Sequence, residues 1–298
     1  MDKRILGKTG MQVSPLGFGG AEIGFEGAAQ DIVTKLLNTA LDAGLNVIDT
    51  AECYINSEEM IGNSIAGRRQ DFYLFTKCGH PNGYEKPEWS KESIAKQIDT
   101  SLKRLKTDYL DLVQLHSCDE SELRKGDVIE ALQTARQDGK TRFIGYSGDS
   151  MAAKYAIECG AFDTLQTSVS IADQEALDLT IPLAKKADMG VIAKRPVANA
   201  AWRYKSKPDN EYHLPYWERL KDLQYDFING DVSGPIDMAL RFTLMIPGVH
   251  TAIVGTTKPE RWKENAKLVE RGPLTSEEFD RIRAQWKKVA QPDWVGQT

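Results

Sequence analysis

Cysteine is scarce in this chain of 298 residues. There are four, Cys53, Cys78, Cys118 and Cys159, and no two share a C-x-x-C spacing. That excludes a disulfide framework, and scattered thiols are expected to stay reduced, which points to the cytoplasm. Long apolar runs are missing: nowhere do about 18 apolar residues follow one another, so no membrane-spanning helix is expected. The opening residues Met1 to Gly7 carry no apolar stretch and no cleavage site, so no secretory leader is expected either. Positive charge is not in excess. Lys plus Arg number 38 against 43 Asp plus Glu, a net charge of −5, which argues against a nucleic-acid grip. With 12 Pro and 24 Gly the chain is neither collagenous nor of disordered composition.

What is present is ordinary globular chemistry, 41% hydrophobic and 27% charged. The length allows two domains, but one α/β barrel, typically about 250 residues, fits as well. Short apolar runs rich in β-branched residues begin near Pro15, Asn46, Phe72, Asp111, Arg142, Thr164, Gly190 and Thr251. Each is followed by enough chain for a crossover helix, the spacing of parallel strands. Ile32, Val33, Leu36, Leu37, Ala40 and Leu41 share one helical face, as do Ile94, Ile98, Leu102 and Leu105. Asp31 and Ser90 read as N-caps, and Thr275 with Glu278 as a capping box opening a last helix to about Val289. Gly44, Gly139 and Gly190 sit where helices should stop. Lys8-Thr9-Gly10 reads as a hairpin turn ahead of the barrel. The stretch from Trp202 to Gly230 reads as an extended loop with a short helix.

Eight βα units follow, and a closed (β/α)8 TIM barrel with an N-terminal hairpin and an extra C-terminal helix is the economical architecture, one domain over residues 1–298. An open dinucleotide-binding sheet is the alternative, and its fingerprint fails. Gly17-x-Gly19 follows a short strand, but Glu22 stands at the third glycine position and residues 23–27 read as loop.

In such barrels the chemistry collects at the C-terminal strand ends. The polar residues there are Asp49 and Tyr54, Lys77, His116, Ser147, Gln166, and Lys194 with Arg195. Asp49, Tyr54, Lys77 and His116 form a sensible set. A lysine ammonium lowers the pKa of a nearby phenol, a carboxylate keeps that lysine charged, and a histidine orients a carbonyl or assists proton transfer. The set looks like an acid that protonates a carbonyl oxygen as hydride reaches the carbon.

The residues Gly44-Leu45-Asn46-Val47-Ile48-Asp49-Thr50-Ala51-Glu52-Cys53-Tyr54 match G-x-N-x-x-D-T-A-x-x-Y, and on this motif the sequence resembles the aldo-keto reductases. Supporting matches are Arg4 to Gly10, Val13 to Gly17, Thr76-Lys77, Asp108 to Leu112 leading to His116, Arg142 to Ser147, and Gly255 to Asn265. The resemblance covers nearly the whole chain. It implies a (β/α)8 barrel and NAD(P)H-dependent reduction of a small-molecule aldehyde or ketone. Hydride would come from nicotinamide C4, with Tyr54 as general acid, Lys77 and Asp49 tuning it, and His116 positioning the substrate. It also implies that Gly19, Gly20 and Asp49 border the cofactor and that Ser147 and Gln166 hold the carboxamide. Gly148 stands where an Asn is usual, and Lys194, followed by Arg195, where an aromatic usually stacks, which suggests a cation near the ring or the diphosphate. Thr256, Lys258, Arg261 and Asn265 line up with the adenosine-phosphate pocket. Arg261 resembles the arginine for the 2′-phosphate, so NADPH is expected over NADH.

Two rivals come from other classes. A cofactor-sensing regulatory subunit would bind NADPH with little turnover. A Schiff-base aldolase would use Lys77 as nucleophile, but Asp49 and Tyr54 in their motif argue against it. Cys53, Cys78 and Cys118 with His116 suggest a zinc set, yet their spacing is no known clip and apolar filling is the expectation, with one reactive thiol as a lesser alternative and no metal expected. Phe25, Tyr84, Trp89, Trp202, Tyr204, Tyr212, Tyr216 and Trp217 are candidates for the rim of the mouth, with Phe25, Trp89 and Trp202 singled out for the substrate pocket.

Overall fold

A computed structural model describes residues 2–228 and 233–297. The chain opens with a hairpin, β1 (Arg4–Ile5) and β2 (Gln12–Val13), turned by a 3-10 segment with Gly10 in the left-handed region at φ 69°. Eight parallel strands then close a barrel among the described residues. They are β3 (Leu16–Gly19), β4 (Val47–Asp49), β5 (Tyr73–Cys78), β6 (Leu110–His116), β7 (Thr141–Ser147), β8 (Thr164–Ser168), β9 (Gly190–Lys194) and β10 (Thr251–Gly255). They are paired in sequence order, and β10 closes on β3.

The expected elements are found, with local corrections. Ser90 caps the helix Lys91–Leu105 by accepting the Ser93 N–H, and the Thr275–Glu278 capping box opens the last helix, Ser276–Val289. Asp31 is not an N-cap: the helix Gln30–Asp42 begins one residue earlier, and Asp31 lies in its first turn, where a carboxylate suits the helix dipole. Ile32 leaves the apolar stripe and is 37% exposed, and Leu102 is half-buried, because each lies at the margin of the face its neighbours bury. Residues 21–25 form a short helix where a loop is expected. Gly24 is needed in it, since a Cβ there would lie 2.1 Å from the Tyr54 carbonyl oxygen. The long segment after β9 does hold a short helix, Leu214–Leu223, then a 3-10 turn, Asp226–Ile228; its expected end at Gly230 lies outside the described residues.

Two apolar clusters divide the core. The larger lies between the strands' outer faces and the helices. The smaller fills the lower barrel: Val47, Phe75, Leu112 and Ile192 from the strands meet Leu6, Met11 and Val13 from the hairpin. The hairpin therefore stoppers the N-terminal end. Gly190 permits this, because a Cβ there would sit 2.6 Å from Leu6 Cγ.

Candidate active site

Side chains alternate along a strand, so residues two apart share a face. Stepping up two positions from the buried apolar layer therefore gives the next inward layer. Val47 leads to Asp49, Phe75 to Lys77, Leu112 to Gln114 and then His116, Phe143 to Gly145 and Ser147, and Ile192 to Lys194. Register aligns them: Lys77 lies opposite Gln114, His116 opposite Ser147, and Ser147 opposite Gln166. One apolar storey thus carries a polar storey at the C-terminal mouth. Gly145 keeps that storey open, since a Cβ there would meet Thr164 Oγ1 at 2.2 Å.

Lys77 is buried, and its Nζ donates to Asp49 Oδ2 at 2.5 Å and to the Thr50 carbonyl at 2.8 Å. Tyr54 stands on the loop after β4, with Lys77 Nζ 5.1 Å from its ring centroid and the His116 ring 5.7 Å away, edge-on. The four residues are thus brought together, but one expectation changes. Burial first, with the nearby Tyr84 phenol and Asp49 carboxylate adding to it, raises the Tyr54 pKa well above its usual value instead of Lys77 lowering it. The lysine's charge is committed to Asp49 and Thr50, and Tyr54 keeps its proton.

Burial, then the charge of Lys77, holds His116 well below the usual imidazole range, so it is neutral. Its Nδ1 faces Cys53 Sγ at 3.5 Å and its Nε2 faces the Tyr84 hydroxyl at 2.9 Å. The three sulfurs considered for a metal go to three different partners. Cys78 turns to the Gln114 carbonyl and Cys118 to that of Asp119, and no metal-holding group of His, Cys, Asp or Glu is found among the described residues. Burial raises the Cys53 thiol to about 11 and pushes Cys78 and Cys118 up as well, which makes none of these three a reactive thiolate.

The cofactor side is less uniform. Gly19 pairs with Asp49 and Gly255, and the Gly20 N–H donates to the Asp49 carbonyl. Ser147 Oγ and Asn265 Oδ1 are buried without hydrogen-bond partners among the described residues, and the Gln166 amide lies beside the Asp49 carboxylate. Thr256, Lys258 and Arg261 gather at the start of the helix Pro259–Glu270, whose N-terminus favours phosphate. The polar groups and the helix N-terminus gathered here fit the amide and phosphate groups of a nicotinamide dinucleotide. Lys194 is neither a solvated strand end nor a free cation, since its Nζ pairs with Asp149 Oδ2 at 2.8 Å. Arg195, at φ 56°, lies over the Tyr212 ring and donates to the Gln297 carbonyl.

Several residues here had no place in the sequence reading. Gln114 Nε2 reaches Asp49 Oδ1 at 3.3 Å and Gln166 Oε1 at 3.2 Å, joining β4 to β8 across the barrel. Its position two residues before His116 already placed it on the inner face. Asp149 stands at the N-cap position of the helix Ser150–Glu158 but makes no side-chain cap bond. Its carboxylate instead turns inward to Thr167, Ser168 and Lys194, and although burial opposes it, Lys194 holds Asp149 below the usual range. The C-terminal tail is pinned beside them: Arg219 donates to the Val295 carbonyl, the Gly296 N–H to Glu175, and Ser168 Oγ to the Gln297 carbonyl. Of the rim aromatics, Phe25 packs on Tyr54, and Trp89 and Tyr84 on His80. Tyr216 is fully buried, its hydroxyl bound to Asp173, so it is core and not rim. Trp202 packs half-buried against the outer core, and the Trp217 indole donates to Tyr204 within its own loop.

Comparison with known proteins agrees with this geometry. The Aldo/keto reductase family profile matches residues 15–287. The uncharacterized oxidoreductase YqkF of Bacillus subtilis is 30% identical, covering 97% of both chains. L-galactose dehydrogenase of Arabidopsis thaliana is 29% identical, covering 90% of this chain and 88% of its own. The holo form of aldo-keto reductase AKR11C1 from Bacillus halodurans superposes with a TM-score of 0.84 at 29% identity, over 99% of each chain. With the tetrad at the mouth of a closed parallel barrel, this chain belongs to the aldo/keto reductase family and is an NAD(P)H-dependent oxidoreductase.

Proposed function

We propose that this protein reduces an aldehyde or ketone to the alcohol with NADPH as its preferred reductant and Tyr54 as the proton donor. The observation that carries the reading is the juxtaposition of the buried Lys77–Asp49 pair and neutral His116 with the unpartnered Ser147 Oγ and the neighbouring Gln166 amide. When bound, the dinucleotide supplies the hydride. Ser147 and Gln166 orient its carboxamide, and Gln114 holds Gln166 against Asp49. His116 Nε2 and the Tyr54 hydroxyl receive the carbonyl oxygen, and Tyr54 gives its proton as negative charge grows there. The four unpaired thiols suit a reducing cytoplasm.

Cofactor choice is the first test. Arg261 pairs at the surface with Glu264 at 3.3 Å, a contact its guanidinium can exchange for a 2′-phosphate. Oxidation of NADPH followed by absorbance over a carbonyl panel should exceed that of NADH, and Arg261→Ala should raise the NADPH KM roughly 10- to 100-fold with little effect on NADH. Equal efficiency with both cofactors would sink the preference. Tight NADPH binding without turnover of any carbonyl would favour a regulatory subunit instead.

Cofactor binding should also depend on pH through Glu22. Its carboxyl lies where a Cβ on Gly255 would be, at the end of β10, and burial raises it to about 7. Below that pH it is neutral; above it, a negative charge stands near the path of the phosphates. NADPH affinity should therefore fall several-fold as pH rises from about 6 to 8. Glu22→Gln should flatten that slope, read from the NADPH dissociation constant by fluorescence. Parallel slopes in the two proteins would refute the assignment.

A further inference from the structure

One side chain already stands beside the two groups proposed above to receive the carbonyl oxygen. The Tyr84 hydroxyl lies 2.9 Å from His116 Nε2, and the Tyr54 phenol and Cys53 thiol are also within its hydrogen-bond reach. A phenol oxygen can accept hydrogen bonds from His116 and Tyr54 as a carbonyl oxygen does. The Tyr84 ring packs behind it, 5.1 Å from the His116 ring and 4.8 Å from the His80 ring. Tyr84 thus offers the site an oxygen on a flat carbon frame, as a bound carbonyl compound would.

Tyr84 comes from the loop after β5, whose two ends are clasped together. The Gly79 N–H donates to Glu52 Oε1 at 2.7 Å and to Gln97 Oε1 at 2.6 Å, and the His80 N–H to Glu52 Oε1 at 2.7 Å. The Glu88 N–H returns to the Gly79 carbonyl at 2.9 Å. The tip between these ends is held less firmly. Tyr84 is 45% exposed, and residues 85–88 are exposed as well. Beneath the tip, His80 has Nε2 2.6 Å from the His116 carbonyl and its other ring nitrogen toward the Tyr84 carbonyl. Burial lowers the His80 pKa, and a neutral imidazole carries one N–H, so it can donate to only one of these carbonyls. A clasped base under a lightly held tip is the build of an element that opens without unfolding its neighbours.

We propose that Tyr84 is an internal competitor for the active site, its hydroxyl filling the position of the carbonyl oxygen, so that a substrate reaches His116 and Tyr54 only by displacing it. This rests on the carbonyl-reduction reading above and adds a step before it. No covalent bond changes in that step: the hydrogen bonds of His116 and Tyr54 pass from the phenol oxygen to the carbonyl oxygen. The displaced phenol turns toward a recess of about 380 Å³, which Tyr84 lines with His80, Pro87, Trp89, Ser117 and Asp119. Displacement precedes the chemistry, so it weakens substrate binding and leaves the chemical step alone.

The test uses Tyr84→Phe, which removes the hydroxyl and keeps the ring, and Tyr84→Ala, which removes both at a partly exposed position. With NADPH saturating, Tyr84→Phe should raise kcat/KM for butanal roughly fivefold through a lower KM, because the closed form loses one hydrogen bond. p-Cresol, the tyrosine side chain as a free molecule, should refill the place vacated in Tyr84→Ala. Calorimetry on the protein alone should show it binding that variant roughly tenfold or more tighter than the wild type, whose site is already filled. An unchanged kcat/KM in Tyr84→Phe, or a lower kcat at the same KM, which would make the hydroxyl a helper in the reaction, would overturn the proposal. So would p-cresol binding equally to the wild type and Tyr84→Ala. No turnover of butanal or any other carbonyl, with p-cresol still gained in Tyr84→Ala, would overturn the reduction reading and leave Tyr84 as the occupant of the site.

Discussion

Tyr54→Phe is expected to lower kcat for carbonyl reduction by about 10²- to 10⁴-fold while changing cofactor affinity little. The substitution removes one oxygen and keeps the ring. Ring contacts with Phe25, at 5.6 Å between centroids, and with His116, at 5.7 Å, are retained, so the loop that carries Tyr54 should not move. What is lost is the hydroxyl that the proposed reading has donate its proton to the carbonyl oxygen. His116 is neutral because burial lowers it, and the Lys77 ammonium is bound to Asp49 and Thr50. Tyr54 is raised above the ordinary phenol range, so it keeps its proton across neutral and mildly alkaline pH and delivers it only when the carbonyl oxygen gains charge. The wild-type rate should accordingly show no loss from Tyr54 ionisation between about pH 6 and 9. Single-turnover absorbance measurements with saturating NADPH separate the chemical step from binding. A variant that reduces carbonyls at the wild-type rate would remove Tyr54 from the mechanism.

The barrel was legible because its signals are local and repeated. Parallel strands covered on both sides read as short apolar runs, and each of the eight was found where such a run begins. The grouping of the four candidate residues was legible because Asp49, Lys77 and His116 lie near the ends of three consecutive barrel strands. What escaped lies in contacts between segments distant in sequence. Asp149 is indistinguishable from a helix cap until Lys194, 45 residues later, is seen against it. Gln114 shows its inward face by period alone, but its two amide partners belong to β4 and β8. The direction of the Tyr54 shift needed burial, which residue types do not reveal. The margin of the helix Gln30–Asp42 failed for a simpler reason: Ile32 has the chemistry of the buried stripe but lies one step around from it.

The second large effect is on the foundation under Tyr54. Asp49→Ala would leave the Lys77 ammonium inside the barrel with the Thr50 carbonyl as its remaining partner, and Lys77→Met would leave the Asp49 carboxylate with only the neutral amides of Gln114 and Gln166. Both side chains are 1% exposed, so neither orphan can reach water. Each single change should cost about 3–5 kcal/mol, a fall of about 10 °C in the melting midpoint for a chain of this size. Each should also abolish reduction. The double variant should recover much of the lost stability, because no charge is then buried alone, and recover none of the activity. Melting followed by circular dichroism, with NADPH oxidation on the same samples, reads both quantities. Stability and catalysis should therefore separate in the double variant, which a merely structural ion pair would not produce. A double variant that melts at the sum of the two single losses would mean that the charges do not depend on one another. The tetrad would then have to be rebuilt around Gln114.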